Sequence, residues 1–572
     1  MPYYIGVDVG TGSARACIID EKGEILSVHS KDITKWEPKV SYFNQSSNQI
    51  WDSICWCTRN VVADSKVPIE QIRGIGFDAT CSLVVLNEQS DVPVAVGPDF
   101  SNNDQNIILW MDHRAETQTR AINNTGHNLL RYVGGKMSIE MEMPKVKWLK
   151  ENMPKEVFES CKFYDLADFL THRATGSETR SFCSVVCKQG FVPVGIDGSV
   201  KGWSADFLNE IGLPELVEDN FRRIGGVKGE NGMYLSAGQH IGNLSEAAAK
   251  ELGLTTNVAV GSGVIDAYAG WIGTVAAKTS LLDEKPNSEE DDMALLANRL
   301  AAVAGTSTCH LVMSKDPVFV PGVWGPYRDV LIPDFWLAEG GQSTTGELLR
   351  FVVTTHPAST ELNEKAKAQG ESVFEFLNNR LEALRVADNA PSIAYLAKHL
   401  FFYGDLYGNR SPIADPHMRG SIVGQSMDVS LDNLAITYLA AVEFIGQQTR
   451  HIVDTLNGCG HKITQIYLSG GQCRNHLLTD LMATATGLPI IIPKYIDAAV
   501  VLGSAFLGAK AAHPGRNLWS IMSQLSAPGS VVSPAPEDSV DAKLLDAKYK
   551  VFLDQAHAQQ RYRSSIDAAL GE

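Results

Sequence analysis

Four glycine-containing segments and the carboxylates beside them are the parts of this chain best suited to chemistry. In Asp8-Val9-Gly10-Thr11-Gly12-Ser13-Ala14-Arg15 a tight turn stands beside a carboxylate and ends on a cation. Such a turn offers successive backbone N–H groups and hydroxyls to a phosphate. It leads into a strand, and no G-K-[ST] follows, so it is neither a Walker A loop nor a dinucleotide fingerprint. An ordinary hairpin is the alternative. The turn Gly305-Thr306-Ser307-Thr308 repeats the arrangement. Two such hairpins facing each other grip a polyphosphate from both sides, with Asp8 holding Mg²⁺ through water. Gly261-Ser262-Gly263-Val264-Ile265-Asp266-Ala267 puts a carboxylate at the mouth of a helix. Asp266 there is either a helix cap or a base that takes the proton of an attacking hydroxyl during phosphoryl transfer. An unperturbed Asp is already ionised at neutral pH, so its contribution as a base comes mainly from position. In Ser469-Gly470-Gly471-Gln472-Cys473-Arg474-Asn475 two residues without Cβ let a flat ring such as adenine lie against the backbone. A plain strand-to-helix turn is the alternative.

The elements that must position these groups follow from hydrophobic patterning. Strands are expected at 3–9, 15–19 and 24–28, joined by Gly-containing turns into an antiparallel meander. A helix is expected at 48–64, strands at 72–78 and 83–87, mixed helices through 253, and a buried strand at 258–260 that delivers Asp266. The strand, Gly-Thr turn, strand unit returns at 300–313, which suggests an internal duplication. Helical patterns follow at 343–355, 372–384 and 431–457, then a strand at 465–468 and a terminal helix at 549–569. The stretch at 283–292, DEKPNSEEDD, carries six acidic residues and reads as a solvated loop at the seam between two halves.

Composition narrows the function further. The chain has 572 residues, with 49 Lys plus Arg against 66 Asp plus Glu, a formal charge of −17. That balance argues against a nucleic-acid partner, which needs a clustered basic surface. With 44% hydrophobic and 20% charged residues the chain has the composition of a globular enzyme. No targeting leader is read at Met1-Pro2-Tyr3-Tyr4, and the apolar stretch 498–509 is too short to cross a membrane. Ten cysteines without a C-x-x-C pair read as reduced thiols in a cytoplasmic protein. A homodimer is left open.

The order of Asp-x-Gly-Thr hairpin, S-G-x-x-D-A loop, A-G-T-S turn and S-G-G-x-x-x-N segment resembles the FGGY carbohydrate kinases, within the actin, hexokinase and Hsp70 ATPase superfamily. The resemblance runs from about residue 3 to 515. Lys145 to Asn152 looks like the first family signature, with Glu142 where a small residue or Pro is usual, and 420–443 resembles the second more loosely. The resemblance implies an α/β fold of two lobes of duplicated ribonuclease H-like topology with a cleft between them. Residues 1–270 would form the sugar-binding N-terminal lobe with the first phosphate hairpin, 271–299 an acidic connector, and 300–572 the ATP-binding C-terminal lobe. It implies ATP and Mg²⁺, with Asp8 at the metal and Asp266 as base. Gly10, Thr11, Gly12, Ser13, Arg15, Gly305, Thr306 and Ser307 would cradle phosphates, and Gly470, Gly471, Gln472 and Asn475 would frame adenosine.

The sugar site carries the branch-specific residues. Phe77-Asp78-Ala79-Thr80-Cys81-Ser82-Leu83-Val84 looks like the T-C-S-L-V segment of the ribulokinase branch, and Leu109-Trp110-Met111-Asp112-His113-Arg114 resembles its L-W-x-D-H-R. By the same resemblance Lys188 and Glu339 reach the sugar beside Asp78, Ala79, Thr80, Cys81, Ser82, Asp112 and His113. Local alternatives are a surface lysine at 188, a helix-start residue at 339, a core imidazole at 113 and a packing role for Trp110. The similarity is greatest to the eukaryotic D-ribulokinase branch. It implies phosphorylation of the 5-hydroxyl of D-ribulose, with L-ribulose, ribitol and arabinitol as alternative acceptors. A non-catalytic ATP-driven module is the alternative from another class, and the intact S-G-x-x-D-A segment argues against it.

Overall fold

A computed structural model describes residues 1–279 and 293–571. The acidic stretch at 283–292 lies outside the described residues. β1 (Tyr3–Val9), β2 (Ser13–Ile19) and β3 (Ile25–Asp32) form the expected meander, because Gly10 to Gly12 and Glu21 to Gly23 supply its two turns. The first sheet runs His240–Asn243, Ala259–Gly261, Ile72–Ala79, β1, β2, β3, and Val264–Ile265 also pairs with Ile72–Ala79. The strands of its centre are buried and read as apolar runs, as in any sheet covered on both faces.

The second large sheet repeats the first. It runs Ser530–Val532, Ile490–Ile492, Gln465–Ser469, Arg299–Ala304, Thr308–Ser314, Trp336–Gln342 and Trp324–Arg328. Arg299–Ala304 pairs antiparallel with the strand after it and parallel with Gln465–Ser469, as β1 does with β2 and with Ile72–Ala79. The antiparallel strand at the far edge recurs as well. The duplication suggested by two hairpins therefore extends over six strands of each sheet. A five-stranded sheet containing Leu83–Asn87 and Cys161–Asp165 is inserted in the first half.

The helix Ala499–Ala512, apolar all round, shows why the halves are not independent. It comes from the second half of the sequence and lies on the sheet of the first. Its Gly503, Ser504 and Gly508 permit contact at backbone distance. A Cβ on Gly6 would stand 2.0 Å from Val501 O, one on Gly76 2.1 Å from Ser504 O, and one on Gly503 1.9 Å from Ala269 O. Reciprocally, a Cβ on Gly270 of the helix Asp266–Ile272 would lie 2.8 Å from the Val303 side chain in the second sheet. The division at 1–270 and 300–572 is thus crossed in both directions. One hydrophobic cluster runs from Tyr4 and Cys17 through Val501 and Trp519 to Leu311 and Tyr467.

Several helices differ from expectation in extent. The terminal helix spans Val540–Leu570, starting well before 549, because Ser539 caps it by accepting from the Ala542 N–H. The charged helix Ser359–Gln369 lacks the apolar period that would announce it, having only Leu362 and Ala366 buried. Eight of the ten cysteines are buried, and all ten are free thiols. Among the described residues no helix is long and apolar enough to cross a membrane.

Candidate active site

Register in the first sheet brings two carboxylates together. β1 and Ile72–Ala79 are parallel neighbours with Asp8 opposite Asp78, and Val264–Ile265 pairs with Asp78 and Ala79, so that Asp266 follows directly. Asp78 is fully buried. Its Oδ2 accepts a hydrogen bond from Ser504, and its carboxyl also meets that of Asp8 within hydrogen-bonding reach. Burial, reinforced by Asp8, pushes the Asp78 carboxyl well above the usual range. Burial also raises Asp8, against the opposing pull of Arg15. Such a pair, two carboxyls together, has the hard oxygen donors that a magnesium ion takes.

Asp266 opens the helix Asp266–Ile272 as its first residue, with its Oδ1 accepting from the Ala267 N–H at 2.7 Å. Burial, with Asp8 adding to it, lifts its carboxyl to about 7. This differs from the ionised, unperturbed Asp expected from sequence. The reason is the inward-facing position between carboxylates, which spacing alone does not reveal.

A second cluster lies beside Asp266 and draws on both halves. Lys188 ends the helix Phe182–Lys188 and is 2% exposed, so it is no surface lysine. That helix is held by polar contacts beneath it: Ser184 Oγ donates to Asp165 at 2.9 Å, the Ser181 N–H to Asp168 at 2.8 Å, and Gln189 to Glu142 at 2.5 Å. Glu339 sits within the strand Trp336–Gln342, not at a helix start. Its Oε2 accepts from the Tyr268 hydroxyl at 2.8 Å and lies 3.4 Å from Lys188 Nζ, while its Oε1 accepts from Arg410 at 2.9 Å. Burial disfavours the Glu339 carboxylate, yet Lys188 and Arg410 outweigh it and hold the group below the usual range. Lys188 Nζ and the Arg410 guanidinium both lie on the Trp324 ring, 4.5 and 4.4 Å from its centroid.

The other residues expected at the sugar divide. Ala79 and Thr80 follow Asp78 out of the strand, with Thr80 and Ser82 hydroxyls 3.2 Å apart and Cys81 buried close by. Both Asp112 oxygens are taken by Arg114, and one also accepts from the Phe43 N–H at 2.6 Å. His113 has an exposed side chain, so it is not a core imidazole. Trp110 donates to the Thr11 hydroxyl at 3.0 Å and so braces the first hairpin.

The segments expected at phosphate and adenosine also converge. Gly10 N–H is used inside its turn, donating to Ser13 O at 3.0 Å, and Gly305 N–H donates to Ser307 O at 2.8 Å. Gly12 and Thr306 are exposed and Thr11 is half-buried, and open space surrounds the position of a Cβ on Gly12 and on Gly305. Gln472 ties the Gly470 turn to the second hairpin by donating to Gly305 O at 3.0 Å. Gly470 must be glycine: its φ is +94°, and a Cβ would lie 2.1 Å from Ala304 O. Gly471 is exposed with open space above it, whereas Asn475 caps the next helix and donates to the Tyr438 hydroxyl at 2.7 Å. Arg15 reaches Asp497 O at 2.8 Å, and Arg474 pairs with the Asp497 carboxylate, joining the first hairpin to this segment.

Comparison with known proteins agrees with this duplicated geometry. The models of the FGGY family of carbohydrate kinases match the chain in two parts, the N-terminal domain over residues 3–215 and the C-terminal domain over 300–512. The chain belongs to the FGGY carbohydrate kinases. As a sugar kinase of this family it uses ATP as co-substrate. A protein named D-ribulokinase from Saccharomyces cerevisiae is 58% identical over 89% of this chain and 72% of its own length. The FGGY carbohydrate kinase domain-containing protein of Homo sapiens is 41% identical over 98% of this chain and 97% of its own. Among solved structures, a xylulose kinase from Rhodospirillum rubrum superposes with a TM-score of 0.74 at 19% identity, covering 98% of this chain and 99% of that one. That likeness is one of fold.

Within this FGGY kinase, sequence reasoning passed over Arg410, Tyr268, Trp324 and Ser504. Gly408-Asn409-Arg410-Ser411-Pro412 carries turn-forming residues that mark a loop, but nothing in that spacing points to Glu339, 71 residues away. Tyr268 lies two residues beyond Asp266 and reads locally as part of an apolar helix face.

Proposed function

We propose that this chain transfers the γ-phosphoryl group of ATP to the 5-hydroxyl of D-ribulose. The observation that carries the proposal is the convergence of Lys188 and Glu339, from opposite halves, beside Asp266. A cation and a carboxylate locked together in a buried site present both donor and acceptor to a polyol, and a ligand lacking the matching hydroxyl would leave them unpaired. Identity of 58% to a protein named D-ribulokinase supports the choice of ketose.

In this reading Asp266 accepts the proton of the attacking hydroxyl as its oxygen bonds to the γ-phosphorus and the bond to the β–γ bridging oxygen breaks, releasing ADP. The hairpin tips at Thr11, Gly12, Ser13, Thr306 and Ser307 orient the phosphates, and Gly470 with Gly471 supplies a flat surface for adenine. Asp8, with Asp78 beside it, would hold Mg²⁺, which when bound neutralises phosphate charge. Asp78 serves the site from below, set by Ser504, while Ala79 to Ser82 and Lys188 with Glu339 face the acceptor. Asp112, tied to Arg114, acts by fixing the loop in which His113 lies exposed.

The test is ADP release with Mg-ATP against D-ribulose, L-ribulose, D-xylulose, ribitol, arabinitol and glycerol, run beside Asp266→Asn. Preference for D-ribulose and a loss of about 10²- to 10⁴-fold in kcat in the variant are expected. Preference for another acceptor would overturn the ketose assignment, and near-normal turnover in the variant would overturn the base.

A further inference from the structure

We infer that Arg410 is a positioning residue of the acceptor site, holding the Glu339 carboxylate in the orientation that meets sugar hydroxyls. The inference rests on the reading of Lys188 and Glu339 as sugar-binding groups. A carboxylate on a long side chain has two oxygens to place, and each is fixed here by a different part of the chain. Oε2 is held by Tyr268, from the helix that begins with Asp266, and faces Lys188. Oε1 is held by Arg410, at 2.9 Å, from a loop outside every motif that carries the family resemblance.

Three further observations show that the fold is shaped around this guanidinium. First, a Cβ on Gly341 would stand 2.9 Å from Thr308 O, 3.1 Å from Arg410 Cδ and 3.3 Å from its Nε, so the glycine two residues past Glu339 leaves room both for the neighbouring strand and for the arginine. Second, Cys309, opposite Gly341 in the neighbouring strand, accepts from the other end of the guanidinium at 3.6 Å. Third, the Trp324 ring lies against both Arg410 and Lys188, which fixes the two cations relative to one another as well as to Glu339. Glu140 of the first half, 3.9 Å from the guanidinium, adds a second carboxylate on its exposed side. A planar fork with several donors can satisfy a carboxylate, a thiol and an aromatic face at once, which an ammonium cannot. Without it the Glu339 carboxylate would be free to turn toward Lys188 and close on it, withdrawing both groups from the acceptor.

The experiment measures kcat and both KM values, for D-ribulose and for ATP, in wild type, Arg410→Ala, Arg410→Lys and Tyr268→Phe. Loss of a buried hydrogen bond to a charged partner is expected to raise the KM for D-ribulose in Arg410→Ala roughly tenfold or more, with the KM for ATP within about twofold of wild type. Guanidinium chloride at low millimolar concentration should partly restore the KM for D-ribulose in Arg410→Ala, and sodium chloride at equal ionic strength should not. A merely structural arginine predicts neither selective KM change nor rescue. The inference is overturned if the two KM values move together, if neither moves, or if guanidinium and sodium act alike. If Arg410→Ala does not fold, Arg410→Lys decides by the same split of KM values. Wild-type protein that turns over none of the neutral acceptors would sink the functional reading and this inference with it. Normal wild-type turnover with an unmoved KM in the variants sinks the inference alone.

Discussion

At the scale of single residues the site is built from charges placed where water is scarce. Asp266, lifted to about 7 by burial and by Asp8, must lose its proton before it can accept one. In the proposed role kcat/KM therefore rises with pH through about 7 and falls roughly tenfold per unit on the acid side, a limb that a pH–rate profile measures directly. The same shift bears on stability. The folded carboxyl titrates above its unfolded value, so its favourable contribution is complete in acid and is lost as pH rises through about 7. Asp266→Asn, uncharged throughout, should melt at a higher temperature than wild type at pH 8 without ligands, and the gap should close toward pH 4. An equal or lower melting temperature at pH 8 would refute the burial of charge as the cause. A stabilised but inactive variant is the pattern expected where a site carries strain for its function.

Elements decide which of these residues meet. The helix Ala499–Ala512 can lie on the first sheet only because Gly6, Gly74 and Gly76 line its path without side chains. Its Ser504 then arrives at Asp78. Gly76→Ala puts a methyl carbon 2.1 Å from Ser504 O, which the backbone cannot yield to without lifting the helix. A loss of about 3 kcal/mol or more is expected by denaturant titration, together with reduced turnover because Asp78 loses its partner. In the second half the terminal helix Val540–Leu570 is pinned to the long helix Leu431–Gly458 by a buried pair, Lys548 with Glu443. Lys548 also donates to Ala397 O at 2.9 Å. Removing one member leaves a buried charge unpaired, so Lys548→Ala should cost about 3–5 kcal/mol. The double variant Lys548→Met, Glu443→Leu should recover most of it, and chemical denaturation of the set checks both statements.

For the whole molecule, two lobes of one topology do not amount to two foldable units. The first sheet lacks one of its covering layers until residues 499–525 arrive from the far end of the chain. A fragment of residues 1–279 exposes that apolar face and should show no cooperative melt, whereas adding a second fragment that spans 293–571 should restore one; a sharp transition in the isolated fragment would refute this. The same exchange places Asp266 on an element that touches both sheets, through Gly270 and Val303. Movement of one lobe against the other would therefore be felt at Asp266, the proposed base.

Much of the frame was legible from sequence. Hairpin residues at 8–15 and 305–308, the short apolar strand runs and the run of apolar residues at 498–509 are local signals, since turn geometry and strand patterning depend on neighbours along the chain. They determined the meander and the duplication, and they marked the segments proposed for phosphate, catalytic base and adenine. Lys188 and Glu339 were named through resemblance, and nothing local separated them from a surface lysine and a helix-start glutamate. Only the tertiary structure decided that they meet, that Arg410, Tyr268 and Trp324 surround them, that Asp112 is spent on Arg114 while His113 faces solvent, and that Asp266 is no ordinary carboxylate. The physical reason is that desolvation and pairing are set by whatever the fold brings within a few ångströms, and 71 residues of intervening chain separate Arg410 from the carboxylate it holds.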